Sequence, residues 1–220
     1  MLVNTAGGIT GGDRFDIAAE VASGTALTLT TQTAERAYRA QPGETGQLSS
    51  ALRVGPKARL QWLPQETILF DGSSLDRRLD VDLAVDAQLL LVEPLIFGRT
   101  EMGEALTQAW FRDHIVIRRD GKPLFLDRTE MTGDIAAHLA RPHITNGALA
   151  MALIVLVAPE AGTRLDALRC MLPETAGAGL IGPDVLVTRL LAADGFDLRQ
   201  TLVPVLRFLS NEELPKCWML

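Results

Sequence analysis

Three short strings set a rhythm that narrows what this chain can fold into. Ser23-Gly24-Thr25-Ala26-Leu27-Thr28-Leu29 resembles Pro56-Lys57-Ala58-Arg59-Leu60-Gln61-Trp62, and again Val85-Asp86-Ala87-Gln88-Leu89-Leu90-Leu91. Leu27, Leu60 and Leu89 therefore recur at steps of 33 and 29 residues. A turn followed by alternating apolar residues at such a period is one structural unit, too small to bury its apolar face alone and obliged to stack on its neighbours. The expected fold is mainly β, with β-helix-like stacked sheets.

Other runs agree with that frame. Phe15, Ile17 and Ala19, and later Leu79, Val81 and Leu83, alternate with polar residues between Gly, Pro, Asp or Ser breaks, the period of a half-buried strand. Asp120-Gly121 predicts a hairpin joining 110–119 to 123–128, because this pair readily takes the positive φ that a tight antiparallel turn needs. The second half changes character. Leu165, Leu168 and Leu172 share one helical face, with Thr163 and Asp166 as a capping pair and Pro173 as the stop. A second helix carries Leu198, Leu202, Val205 and Leu209, and Pro204 inside it should bend it. Residues 184–192 read as a buried strand between the two. About two α-helices are thus expected in the C-terminal half, and no linker divides residues 1–220, which read as a single domain.

Composition excludes several functions. Twenty-seven acids against 21 lysines and arginines give a net charge of −6 with no basic run, so nucleic acid is not an expected partner. The longest apolar run, 148–158, is too short to cross a bilayer, and no basic segment followed by an apolar stretch opens the chain. A cytoplasmic location is expected. Cys170 and Cys217 lie far apart and outside any C-x-x-C pair, which reads as two reduced thiols rather than a disulfide or zinc knuckle.

The glycine-rich string NTAGGITGGDRF at 4–15 invites a phosphate-loop reading that its own residues oppose. Aligned on G-x-x-x-x-G-K-[ST], Asp13 falls at the lysine position and would repel phosphate; the dinucleotide pattern fails because Ile9 stands where its second glycine belongs. A tight turn capped by Asp13 remains. His114, His138 and His143 could act as bases, but no serine sits in a G-x-S-x-G elbow, and His138 and His143 straddle Arg141-Pro142 rather than forming a helical metal pair.

Acids are more telling. Glu35, Glu66 and Glu93 stand six, four and two residues beyond Leu29, Trp62 and Leu91, so continuous strands would point all three toward the core side. An inward carboxylate needs an arginine, a water-filled passage or a cation. Arg36, Arg39 and Arg99 are the expected ion-pair partners.

Four strings in order carry a family resemblance: Asn4-Thr5-Ala6-Gly7-Gly8-Ile9-Thr10-Gly11-Gly12-Asp13; Thr30-Thr31-Gln32 with Glu35-Arg36-Ala37-Tyr38-Arg39; Pro64-Gln65-Glu66-Thr67-Ile68-Leu69-Phe70; and Glu93-Pro94-Leu95-Ile96-Phe97-Gly98-Arg99 with Gly103-Glu104. Together they resemble the signature of the urease accessory proteins UreD, also called UreH. Leu126-Asp127-Arg128 and Pro215-Lys216-Cys217-Trp218 extend the likeness more loosely. The resemblance implies a β-helix-like fold with two helices. It implies no enzymatic activity, but a scaffold that docks on apo-urease and, with UreF and the GTPase UreG, delivers nickel to the buried active site. It also implies an internal water-filled passage for nickel in transit, with no tightly bound cofactor. Asp13, Glu35, Glu66, Glu93 and Glu104 are the candidate passage or mouth residues, since carboxylates hold a divalent ion weakly enough to pass it on. The helices, and 194–209 above all, are the candidate contact for UreF. Family members carry strands before the Asn4 signature, so an N-terminally shortened chain with an open sheet edge is expected. Two rival readings use the same residues: a small-molecule enzyme built on the glycine turn with His114 or His143, and a β-solenoid interaction protein with no metal role.

Overall fold

The fold is that of a computed structural model describing residues 1–99, 102–211 and 214–219. Its first half is a stack of about three turns in which successive coils alternate between two sheets. Strands β1 (Arg14–Val21), β2 (Ala26–Leu29) and β3 (Glu35–Ala37) make the first coil; β4 (Gly46–Val54), β5 (Arg59–Trp62) and β6 (Thr67–Leu69) the second; β7 (Ser74–Leu83) and β8 (Gln88–Phe97) the third. Each pairs in parallel with its counterpart one turn on, β1 with β4 with β7, and β2 with β5 with β8. The register sets Leu27 beside Leu60 and Leu60 beside Leu89, so the sequence repeat is the register of the stack.

Strand β9 (Ala109–Arg119) joins β7 in parallel and turns back as β10 (Lys122–Gly133), closing a five-stranded sheet in the order β1-β4-β7-β9-β10. The hairpin turns where expected, with Asp120 at φ 50° and Gly121 at φ 71°. The facing sheet grows by antiparallel strands β11 (Ala150–Val157), β13 (Val185–Ala192) and β12 (Ala176–Ile181), giving β12-β13-β11-β8-β5-β2 with β3 and β6 alongside. The expected strand at 184–192 is β13.

Two apolar layers hold this together. Between the sheets pack Leu52, Leu60, Val81, Leu89, Leu91 and Ile117. On the far side of the larger sheet, helices α2 (Ala161–Met171) and α3 (Gly195–Ser210) bury Leu90, Ile154, Leu168, Leu202 and Trp218. Strand β8 thus feeds both layers, Leu89 and Leu91 one way and Leu90 and Val92 the other, which is why it reads as an unbroken apolar run.

The helices depart from expectation in detail. A short α1 (Ile135–Leu139) has no counterpart in the two-helix reading; Asp134 caps it by accepting from the Ala137 N–H at 2.8 Å. Helix α2 begins at Ala161, so Thr163 lies inside it and donates to the Glu160 carbonyl at 2.7 Å instead of forming a capping pair with Asp166. It does end before Pro173. In α3, Asp194 accepts from the Asp197 N–H at 2.9 Å, Leu198, Leu202, Val205 and Leu209 are buried, and Pro204 sits within an unbroken helix. The closing 3-10 turn, Lys216–Trp218, folds back over this layer. Trp218 is 1% exposed; its indole N–H donates to the Leu63 carbonyl at 3.0 Å, and Arg199 donates to its carbonyl at 3.2 Å.

Candidate functional site

The glycine string turns the chain. Gly7, Gly8 and Gly12 have φ of 81°, 155° and 82°, and a Cβ on Gly8 would lie 2.8 Å from the Arg36 carbonyl. Asp13 caps the turn, accepting from the Thr10 N–H at 2.9 Å. The close approach lets Ile9 pair with Ala37 and seats the first residues against β3. Asn4 then reaches across: its amide donates to both oxygens of Glu35, at 3.1 and 3.0 Å.

Glu35 faces the space between the sheets beside Thr67, its partner in β6; residues 30–34 leave the strands, so this side is set by β3 itself and not by a phase carried on from Leu29. It lines a cleft of about 250 Å³ at the first coil, shared with Leu2, Phe15, Ile17 and Leu48. Glu93 also faces inward, because β8 runs unbroken through Pro94. There it meets Arg77 of β7, whose Nη1 donates to Glu93 at 2.6 Å, while the Trp62 indole donates to the other oxygen at 2.7 Å. The same guanidinium forks onto Asp113 of β9 at 2.9 and 2.6 Å and lies 5.8 Å from the centre of the Phe111 ring. One buried cation thus faces two buried carboxylates. Burial pushes the Glu93 carboxyl above its ordinary value, against the downward pull of the Arg77 charge. Burial also opposes the Arg77 charge, but the two carboxylates prevail and hold its proton more tightly than usual.

Glu66 corrects the expectation of a shared side. Residues 63–66 lie outside the strands, so the phase is lost between Trp62 and Glu66, and the carboxylate turns toward the helical layer. Arg199 of α3 donates to it at 2.7 Å and to Gln65 at 2.9 Å. Glu104 staples a surface loop: Arg99 binds it through Nε and Nη2, both at 3.0 Å, and stacks 4.4 Å from the Phe70 ring centre. The hydrogen bonds from Arg99 hold the Glu104 carboxyl below its ordinary value.

Among the described residues, Arg99 alone of the expected arginine partners forms an ion pair with a candidate acid; Arg39 pairs with Asp71, and Glu93 and Glu66 take Arg77 and Arg199 instead. The fold separates the five candidates. Glu35 and Glu93 share the inter-sheet side, Glu66 lies on the opposite face, and Asp13 and Glu104 belong to surface turns. The void of about 50 Å³ beside Glu104 shares no lining residue with the Glu35 cleft. Among the described residues, no group of three or more His, Cys, Asp or Glu side chains is arranged to hold a metal ion. What the arrangement offers is single carboxylates, each already bound to a neutral or cationic donor. His114 and His143 do not join the glycine turn: His114 lies on the outer face of β9, in a groove containing none of those glycines, and His143 is exposed after α1. Among the described residues, no helix is long and apolar enough to cross a membrane.

Arg77 and Asp113 are the residues that motif reading missed. Their signal lay in the alternation itself, a charge at the inward phase of Leu75-Asp76-Arg77-Arg78-Leu79 and of Phe111-Arg112-Asp113-His114-Ile115.

The family model described as UreD urease accessory protein matches residues 1–219. Urease accessory protein UreD of Ruegeria pomeroyi is 62% identical over 99% of this chain and 85% of its own length. The proteins of the same name from Roseobacter denitrificans and Methylobacterium sp. strain 4-46 are 52% and 42% identical, over 100% and 99% of this chain and 80% and 79% of theirs. These matches set aside the small-molecule enzyme, because the family is one of accessory proteins and is not known for catalysis. The stacked β framework, its glycine turn and its ordered acid-bearing strings are those of a chain that belongs to the UreD family of urease accessory proteins.

Proposed function

We propose that this protein is a docking scaffold in the cytoplasm that binds apo-urease and, together with UreF and through it UreG, delivers nickel to the urease active site. The observation that carries this reading is the family match along residues 1–219, which makes the chain an accessory protein of urease. Helix α3 is the proposed UreF contact, supported by Phe196, which is 73% exposed at its first turn.

Asp13, Glu35, Glu66, Glu93 and Glu104 are the proposed stations for nickel in transit. Glu35, at the cleft of the first coil, is the entry; Glu93, held by Arg77, is the inner station. An ion that must compete with Arg77, Arg199 or Arg99 for a single carboxylate is held weakly, which suits transfer and not storage. Passage then requires these arginines to release their acids when the scaffold docks.

The test is co-expression with urease subunits, UreF and UreG in cells lacking their own copy of this protein. Urease activity and nickel content should rise with the wild-type chain, and UreF and apo-urease should co-purify with it. Glu35→Gln should preserve co-purification and lower nickel loading. Full loading by every single alanine variant of the five acids would remove the passage; loss of co-purification with the wild-type chain would remove the docking role.

A further inference from the structure

The larger sheet ends at β12, and among the described residues no strand pairs with the far side of it. Thr175 fixes which backbone groups look that way. Its carbonyl accepts from the Leu191 N–H at 3.2 Å, and in an antiparallel ladder every second residue exchanges bonds with its opposite number. Gly177, Gly179 and Ile181 therefore bond β13, while Ala176, Ala178 and Leu180 turn their N–H and C=O groups to the open edge. Two other bonds agree with this phase: the Ala176 N–H donates to the Pro173 carbonyl at 3.0 Å, and Arg169 Nε of α2 donates to the Ala178 carbonyl at 3.1 Å. A carbonyl accepts twice, so Arg169 leaves this one able to take a second donor.

Exposed edges are usually guarded by charge, proline or a covering segment. Residues 175–182 carry no charged side chain and no proline, and Leu180 and Ile181 are 38% and 46% exposed. On the inter-sheet side, Gly177 and Gly179 stand beside Arg189 and Val187, and a Cβ on either glycine would meet nothing within 4 Å. The strand that fits this edge is its own reversed copy. Run antiparallel about a two-fold axis at Ala178, outward residues meet only outward residues: Ala178 faces Ala178, and Ala176 of each copy faces Leu180 of the other. The bulky side chain thus meets a small one, and no like charges stand opposite each other along the strand. Gly177 of one copy falls opposite Gly179 of the other. A foreign strand would find few side chains here to read, whereas a second copy matches the hydrogen-bonding phase by symmetry and closes both edges at once.

We propose that β12 is a self-association edge, through which two copies of this chain pair antiparallel about Ala178 and join their larger sheets into one. Docking on urease and nickel transit use neither this strand nor its backbone groups.

Sedimentation velocity of the full chain across micromolar concentrations should show monomer and dimer in concentration-dependent exchange. Gly177→Lys combined with Gly179→Lys fills open space in the single chain but sets lysines directly opposite each other in the paired one. It should weaken the dimer at least tenfold. Gly177→Glu combined with Gly179→Lys makes the same two positions complementary and should restore it, a reversal that depends on this register. Circular dichroism and the thermal midpoint should stay near wild type in both variants. A wild-type chain that is monomeric throughout, or a dimer of equal strength in both double variants, would overturn the proposal. A monomeric wild-type chain whose co-purification with apo-urease is lost in the double lysine variant would give the edge to urease and exclude self-pairing.

Discussion

Arg77 and Asp113 stand directly opposite each other on adjacent parallel strands, and the guanidinium forks onto the carboxylate at 2.9 and 2.6 Å in the layer between the two sheets. Its remaining arm crosses to the facing sheet and reaches Glu93. The cluster therefore ties the two sheets together at the point where the inter-sheet apolar layer is interrupted. Breaking a buried pair by removing one partner leaves charge without compensation, at a cost of about 3–5 kcal/mol. Arg77→Met should lose that much in urea unfolding at pH 7.5. The orphaned carboxylates can then be neutralised only by protons, so the deficit should shrink as pH falls toward 5.5. Glu93→Gln, which removes the surplus negative charge and keeps an acceptor for the Trp62 indole, should cost clearly less. A deficit of Arg77→Met that does not change with pH would rule out this electrostatic account.

The C-terminal turn should behave as part of the core rather than as a tail. Trp218 is buried beneath it, bonded to the Leu63 carbonyl and 5.2 Å from the Arg199 guanidinium. Trp218→Ala should destabilise the fold by about 3–5 kcal/mol. Hydrogen exchange should show the helical layer loosening before the inter-sheet layer. Stability equal to wild type would detach the turn from the core.

Acid should weaken the fold through carboxylates held below their ordinary values. Asp71 is lowered first by the Gln108 N–H, with Thr107 and Arg39 adding to it; Asp80 is lowered first by Arg78, and Glu104 first by Arg99. Such groups stay ionised in the folded chain while the unfolded chain takes up protons at the ordinary values of 3.8 for Asp and 4.5 for Glu. Their contribution is complete above those values and is lost as pH falls through and below them. Unfolding free energy should therefore be flat near neutrality and decline below about pH 5. Asp71→Asn should flatten that decline; an unchanged acid limb in the variant would exclude Asp71 as a source.

The glycine turn should be sensitive at Gly8 and tolerant at Gly7. Both have positive φ, but a Cβ on Gly7 meets nothing within 4 Å, whereas on Gly8 it meets the Arg36 carbonyl. Gly7→Ala carries only the backbone strain, about 1 kcal/mol. Gly8→Ala adds overpacking against the main chain of β3, about 1–3 kcal/mol more. Equal losses in thermal unfolding would mean that the approach to β3 is not what requires glycine.

Local chemistry carried much of this architecture into the sequence. The alternation around Phe15, Leu27 and Leu79, the Asp120-Gly121 turn and the recurrence of Leu27, Leu60 and Leu89 are properties of neighbouring residues, and each reappears as a strand, a hairpin or the register of the stack. The glycine turn and its Asp13 cap were legible for the same reason. What the tertiary structure decided was the company each charge keeps. Glu93 found Arg77, 16 residues back on the other sheet, and Glu66 found Arg199, 133 residues on in α3, rather than the arginines nearer in the chain. Strand phase survived where the strand was unbroken, at Glu93, and failed where residues 63–66 leave the sheet, at Glu66. Side-chain direction is set within a few residues. The partner opposite it depends on which strand or helix the whole fold brings alongside.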